Sequence, residues 1–318
     1  MTDLRIGFIG LGNMGGRMAK CITATGAAVL GSDPVTANVT AVGATLATSA
    51  TDVVDNTDII LLSLPKSSVV EAVMLGANGE AGADSVLAHL RPGQIVVDLS
   101  TSAPPSTRMI AARVAETGAS YLDAGISGGA AAAEKGALVL MVGGDEKILE
   151  LARPTLEYFS RQIYYTGDSG AGHTTKLINN FLNAITLAAT AEAMIVGKKA
   201  GLDLEVLLNV INNSSGVSFA STERFPKIIK GDYLKGGLTN ALMMKDVLAY
   251  VELTNDLGVA SPNSAGPIAS FGLANSLGYA DQISNTVVDA LGDVSGGIRL
   301  FAGGIYDGDA HDHIKKGA

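Results

Sequence analysis

The strongest constraint on this chain is a change of rhythm near residue 170. Up to about residue 165, short apolar runs alternate with helical patterns. The runs are "LRIGFIGL", "AAVLGSD", "DIILLSLP", "QIVVDLS", "SYLDAGIS" and "LVLMVGG". They are apolar on both faces, so each face needs cover, as in a parallel sheet between two layers of helices. Helical segments at Met14–Thr25, Ser68–Leu75 and Ser106–Thr117 fall between them and give the βαβ alternation of a doubly wound fold.

From about Gly172 the strand signals stop and helical runs dominate to about residue 293. "GLDLEVLLNVINNSSG" predicts a helix opening near Asp203 and ending at the Ser-Ser-Gly turn. "NALMMKDVLAYVELTNDLG" predicts another, closed by Gly258. The apolar stretch 181–196 carries Asn183 and Glu192 and follows Asn179 and Asn180, which reads as a buried helix and not a membrane span. No internal repeat is seen at periods of about 20–50 residues. The 318 residues, 47% hydrophobic, suffice for two domains. The boundaries expected are 1–165 for the sheet domain, 166–300 for a helical domain begun by a long interdomain helix from about Thr174 to Val196, and 301–318 for a loose polar tail.

Net charge is −9, which argues against a nucleic-acid binder but leaves room for a local cationic pocket. Cys21 is the only cysteine, so no intrachain disulfide can form, in keeping with a reducing compartment. The start "MTDLRIGFIG" enters a strand pattern by residue 5 and lacks the features of a signal peptide. A cytoplasmic protein without nucleic-acid or membrane partners is expected.

"GFIGLGNMGGRMA" contains Gly10-x-Gly12-x-x-Gly15 between a strand and a helix. Gly10 permits the tight turn, Gly12 lets the backbone approach a pyrophosphate, and Gly15 lets helix and strand pack closely. The helix N-terminus offers free N–H groups to the phosphates. Asp33, at the end of the second strand, has the position of a carboxylate that binds the adenosine ribose and repels a 2′-phosphate. The plainer reading of Asp33 is a turn residue before Pro34. No arginine follows it closely, so NAD is expected over NADP.

"GAGHTTKLINN" places Lys176, Asn180 and Asn183 on one face of an otherwise apolar helix. Buried polar groups need partners, so these face a polar cavity or make a satisfied contact at a domain junction. The chemical reading is a general acid/base. Oxidising an alcohol needs a base for the hydroxyl proton, and the reverse reaction needs the same group as an acid. A free lysine, at about 10.4, is too basic for this, but burial or a nearby positive charge lowers such a group. An adjacent Asn180 could orient the amine and the substrate oxygen.

Four motifs in order make the chain resemble the β-hydroxyacid dehydrogenases, over roughly residues 4–296. The family includes 3-hydroxyisobutyrate dehydrogenase, tartronate semialdehyde reductase and 2-(hydroxymethyl)glutarate dehydrogenase. "GFIGLGNMG" is similar to its dinucleotide turn, implying contacts from Gly10, Leu11, Gly12, Asn13, Met14 and Gly15. "DAGISGG" is similar to its substrate segment, implying that Ser127, Gly128 and Gly129 hold a carboxylate. "GAGHTTKLINN" is similar to its catalytic segment, implying Lys176 as acid/base with Asn180 beside it, both also touching substrate. "MMKDVLAYV" is similar to its second lysine motif, implying Lys245 near the cofactor. "LSLPKSSVVE" and "DLSTSAP" further imply cofactor contacts from Leu64, Pro65, Val69 and Thr101.

The resemblance implies a Rossmann-type NAD-binding domain, an all-α C-terminal domain, an active site in the cleft between them, and a homodimer or homotetramer. It implies hydride transfer between nicotinamide and the hydroxyl carbon of a small carboxylate-bearing substrate, without a metal. Two departures stand out: Gly125 where the family usually has Pro, and Leu238 where Phe is common. Both suggest room for a substituent larger than methyl, so the substrate expected is 3-hydroxyisobutyrate-like or 2-(hydroxymethyl)glutarate-like, leaning towards a bulkier or second-carboxylate acid such as a hydroxymethyl dicarboxylate. Rival readings are a semialdehyde or imine reductase of the same fold, and a non-catalytic NAD-binding module; retention of Lys176 counts against the last two. His173 is expected as a polar residue at the helix entry, with substrate contact as the alternative. Cys21 is expected in packing. His311 and His313, with Asp307, Asp309 and Asp312, read as a solvated tail before a metal site.

Overall fold

The computed structural model describes residues 4–301 except 77, 80, 235 and 236. His311, His313 and their neighbouring aspartates lie outside the described residues. The chain divides into two compact units, Met1–Lys176 and Leu177–Ala318.

The first unit is built on an eight-stranded sheet in the order β3-β2-β1-β4-β5-β6-β7-β8. The strands are β1 (Ile6–Ile9), β2 (Val29–Ser32), β3 (Thr45–Leu46), β4 (Ile59–Leu62), β5 (Ile95–Asp98), β6 (Ser120–Ser127), β7 (Leu138–Gly143) and β8 (Ser160–Gly167). Its helices are α1 (Gly15–Thr23), α2 (Thr36–Ala41), α3 (Ala50–Asn56), α4 (Ser67–Leu75), α5 (Val86–His89), α6 (Pro104–Glu116), α7 (Gly129–Glu134) and α8 (Glu146–Leu156). The apolar runs are two-sided because both faces are covered. In β4, Ile59 and Leu61 join a core with Phe8, Met18 and Ile22. Ile60 and Leu62 point to the opposite core with Val53, Val54, Ile110 and Val114.

The sheet is not wholly parallel. β7 runs antiparallel to β6, while β8 returns parallel to β7. A parallel crossover needs about a dozen residues or more, and the connection between Ser127 and Leu138 holds only the short helix α7. The strand reading also omitted β3, which has two residues, and β8, half of whose side chains are open to solvent and which lacks a long apolar run.

The second unit is helical. α9 (Ala171–Lys199) starts in the first unit and continues through the second. α10 (Leu204–Asn212) is capped by Asp203, whose side chain accepts from Val206 N–H. α11 (Phe225–Ile228), α12 (Asn240–Asp256), α13 (Ala265–Ala274) and α14 (Val287–Val294) complete it, with short π-helical turns at Ala220–Arg224 and Asn275–Tyr279. The core gathers Met194, Phe225, Met243, Phe271 and Val287. Among the described residues α9 alone is long and apolar enough to cross a membrane, and 56% of its most apolar window is buried within the structure.

Candidate active site

In the first unit, the strand order reverses between β1 and β4, which is where doubly wound sheets bind ligands beyond the strand ends. The glycine turn lies at that point. Gly10 has φ +90°, and a Cβ there would sit 2.4 Å from the Ser63 carbonyl that follows β4. A Cβ on Gly15 would sit 1.9 Å from the Gly10 carbonyl. These two glycines close the turn. Gly12 differs: nothing lies within 4 Å of its Cβ position, so its backbone faces open space. Leu11 is buried, whereas Asn13 is exposed and Met14 half-buried at the N-cap of α1. Asn13 accepts from Arg17 through both its backbone and side-chain oxygens. An open backbone surface ahead of the N-terminus of α1 fits a dinucleotide pyrophosphate.

Asp33 is tied to the same turn. Its carboxylate accepts from Leu11 N–H at 2.7 Å, Val35 N–H at 2.8 Å and Asn38 Nδ2 at 3.0 Å. A carboxylate offers about four acceptor positions, so one is left, on the oxygen bonded to Leu11. The plainer role as a turn residue is thus fulfilled together with a free acceptor site.

The other first-unit residues fall at the same carboxyl edge. Leu64 and Pro65 lie in the loop after β4, and Leu64 N–H donates to Ser100 Oγ at 2.9 Å. Val69 is half-buried on α4. Thr101 is half-buried in the loop between β5 and α6. Ser127 ends β6, and Gly128 and Gly129 follow with φ +123° and +69°. Nothing stands within 4 Å of a Cβ on Gly129, so this turn presents its backbone openly.

Lys176 is fixed by an anchor at the start of α9. Asp123 is fully buried on β6, and its carboxylate accepts from Gly170 N–H at 2.7 Å and His173 N–H at 2.8 Å. It caps a helix 47 residues downstream, which is why α9 begins at Ala171 and not near Thr174. His173 is fully buried. Its ring bonds Thr107 Oγ1 at 2.7 Å and the Asp98 carbonyl at 3.3 Å, which leaves no surface for a substrate. The Asp98 carboxylate accepts from Tyr121 OH at 2.9 Å and Ser102 Oγ at 3.1 Å. Burial, then this carboxylate, pushes the Tyr121 phenol far up, so it stays a donor.

Lys176 itself is 9% exposed. Gly125 explains how closely its stem packs on β6: a Cβ at Gly125 would sit 2.5 Å from Lys176 Cβ and 3.1 Å from its Cγ. The expectation that Gly125 opens room for substrate is therefore corrected. The vacated volume is filled by the lysine stem. Leu238 likewise packs against the helical core of its own unit.

In the second unit Asn180 is 4% exposed, and its Nδ2 donates to the Asp246 carboxylate. That carboxylate fixes the amide's orientation, since only the NH₂ end can face it. Oδ1 of Asn180 is then the acceptor end; it takes a long hydrogen bond from Asn179 Nδ2 at 3.4 Å and keeps a second lone pair. Asp246 is 2% exposed, and its other oxygen lies 3.1 Å from Lys245 Nζ. The sequence reading missed Asp246, although it adjoins Lys245 in the motif, because nothing local pairs it with a helix 66 residues away. Cys21, in α1, donates to the Ala133 carbonyl at 3.2 Å, and burial raises its thiol. No cluster of three or more potential metal ligands occurs among the described residues.

Residues 5–167 match the NAD binding domain of 6-phosphogluconate dehydrogenase, and residues 170–290 match the NAD-binding domain of NADP-dependent 3-hydroxyisobutyrate dehydrogenase. The chain is 36% identical over 297 residues to 2-(hydroxymethyl)glutarate dehydrogenase of Eubacterium barkeri, covering 92% of this chain and 97% of the relative. It is 37% identical over 288 residues to the NAD-dependent L-serine dehydrogenase of Pseudomonas aeruginosa, covering 87% and 94%. Among solved structures it is similar to Mycobacterium tuberculosis 3-hydroxyisobutyrate dehydrogenase with L-serine, at TM-score 0.81 and 30% identity, covering 91% and 99%. NAD is thus the cofactor class for which both halves are built, and the chain belongs to the β-hydroxyacid dehydrogenase family of NAD-dependent oxidoreductases.

Proposed function

We propose that this protein interconverts a β-hydroxy acid and its semialdehyde, with Lys176 as general acid/base. The observation that carries this is the burial of Lys176 one helical turn before Asn180, whose amide is fixed by Asp246. Ser127 and the backbone N–H groups of Gly128 and Gly129 hold the substrate carboxylate, since successive glycines of positive φ let the main chain close around an anion. Lys176 Nζ takes the hydroxyl proton in oxidation and returns it in reduction. Asn180 Oδ1 orients the ammonium. NAD⁺, when bound, supplies the hydride acceptor. Gly10–Gly15 would hold its pyrophosphate and Asp33 its adenosine ribose, with Leu64, Pro65, Val69, Thr101 and Lys245 along its length.

The substrate then needs a carboxylate and a β-hydroxyl together, and Asp33 disfavours a 2′-phosphate. The test is NADH absorbance on 3-hydroxyisobutyrate, 3-hydroxypropionate, glycerate, L-serine and 2-(hydroxymethyl)glutarate, each with NAD⁺ and NADP⁺. We expect turnover of acids but not of their methyl esters, and kcat/KM at least about tenfold higher with NAD⁺, about 1.4 kcal/mol. Efficient oxidation of uncharged primary alcohols, with Ser127→Ala leaving KM for acids unchanged, would refute the carboxylate receptor.

A further inference from the structure

Arg17 lies in the first turn of α1, and no motif marks it. Its Nη1 donates to the Asn13 backbone carbonyl at 2.5 Å and to Asn13 Oδ1. The two residues are four apart, so they share one face of the helix. That face is open: Asn13 is exposed and Arg17 half-buried, while Gly15, Gly16, Met18 and Ala19 form the packed side. A guanidinium can only donate, so it holds the oxygen end of the Asn13 amide and turns the NH₂ end away from itself. That NH₂ makes no hydrogen bond among the described residues.

The placement is otherwise unfavourable. A helix dipole disfavours a cation in the first turn and favours an anion there. α1 has no acidic residue in that turn and no side-chain cap at Met14. Arg17 forms no ion pair among the described residues. Arg5 and Arg153, in the same unit, do pair, with Asp58 and Glu150. The carboxylate on this turn, Asp33, bonds Leu11, Val35 and Asn38 and not Arg17. Nε and Nη2 of Arg17 donate to nothing among the described residues. The diphosphate of a dinucleotide would bring further negative charge to a protein already at −9, so a cation at the turn offsets a repulsion.

We propose that Arg17 is the positioning residue of the cofactor's diphosphate site: it fixes Asn13 so that Nδ2 donates to a phosphate oxygen, and it supplies the positive charge behind that bond. The inference rests on the glycine turn as the diphosphate site. An anion at the open Gly12–Asn13 backbone would meet the amide NH₂, the N-terminus of α1 and the unused side of the guanidinium fork together. The grip on the cofactor at this turn is thus a side-chain pair as well as backbone, and the charged share of it is screened by salt.

The readout is binding, not turnover. Affinities of ADP and adenosine are measured by displacement of NADH from the wild-type protein, Arg17→Met, Arg17→Lys, Asn13→Ala and the double variant of Asn13→Ala with Arg17→Met. We expect wild type to prefer ADP by at least about tenfold. Arg17→Met should lower that preference by about fivefold or more, while adenosine binds within about twofold of wild type. Arg17→Lys keeps the charge but not the fork and should retain part of the preference. The loss in the double variant should fall well short of the product of the single losses, since the pair acts as one. The gap between wild type and Arg17→Met should narrow as salt rises from about 0.05 to about 0.5 M. An ADP preference intact in Arg17→Met removes Arg17 and leaves the turn standing. No ADP preference in wild type removes the turn as diphosphate site, and the proposal with it. Equal losses for ADP and adenosine mark a merely structural role and overturn the proposal, as do single losses that multiply in the double variant. If Arg17→Met does not fold, an ADP preference undiminished in both Arg17→Lys and Asn13→Ala overturns it.

Discussion

The two units carry their candidate site residues in different ways. In the first, the site is backbone at the carboxyl edge of a sheet: Gly10, Gly12, Gly15, Gly128 and Gly129 are glycines because of positive φ, close packing or open approach. In the second, it is side chains paired between helices far apart in sequence, with Asn180 on Asp246 at a separation of 66 residues. A backbone site advertises itself locally, because each glycine answers a constraint from its neighbours. A helix-borne site does not, because spacing tells which residues share a face but not what meets that face.

The sharpest way to break this contrast is at α9, where one side chain does for the first unit what helix pairing does for the second. Asp123→Ala leaves two buried N–H groups, Gly170 and His173, without their acceptor. At about 1–3 kcal/mol for each unsatisfied group, unfolding should become easier by about 3–5 kcal/mol in urea melts, with turnover falling as α9 frays. A loss under about 1 kcal/mol would show that the helix start does not depend on this carboxylate.

The second unit has its own titratable weak point. Burial raises Asp289 to about 6, against the help of Tyr233 and Arg299. The folded state then holds a proton that the unfolded chain releases. The stabilising contribution is complete below about pH 4, near the ordinary carboxyl value, and is lost as pH rises through about 6. Asp289→Asn should remove that slope and raise stability at pH 7.5 by about 1–2 kcal/mol, less than the full linkage of about 3 kcal/mol because Arg299 loses one partner. Thermal melts between pH 4.5 and 8 check this; an unchanged slope sinks it.

An effect on catalysis alone sharpens the role of Gly125. Its backbone is not in a glycine-only conformation, so Gly125→Ala tests packing alone. The new methyl displaces the Lys176 stem, and kcat should fall about 10- to 100-fold, as for a catalytic group moved by about 1 Å. Unchanged kcat would mean that the lysine has slack.

Most of the sheet was legible because two-sided apolar runs and glycine turns are local signals. β8 was not, since an exposed edge strand such as "SRQIYYTG" shows no apolar pattern. The antiparallel entry of β7 follows from a short connection that an isolated strand reading overlooks. The stripe of Lys176, Asn180 and Asn183 was readable from helix periodicity, whereas Asp246 was not, because only folding brings it to Asn180. Gly125 was misread for the same reason: a missing side chain looks like space until the neighbour that fills it is seen.

The central claim is that Lys176 moves the proton. The direct measurement is single-turnover oxidation of the best β-hydroxy acid by Lys176→Ala, with NAD⁺ affinity measured on the same preparation. General acid–base catalysis is typically worth about 10²–10⁴-fold, so turnover should fall by that factor while NAD⁺ binds within about twofold of wild type. Lys176→Arg should fail equally, since arginine does not deprotonate at working pH. Near-normal turnover in Lys176→Ala would contradict the account.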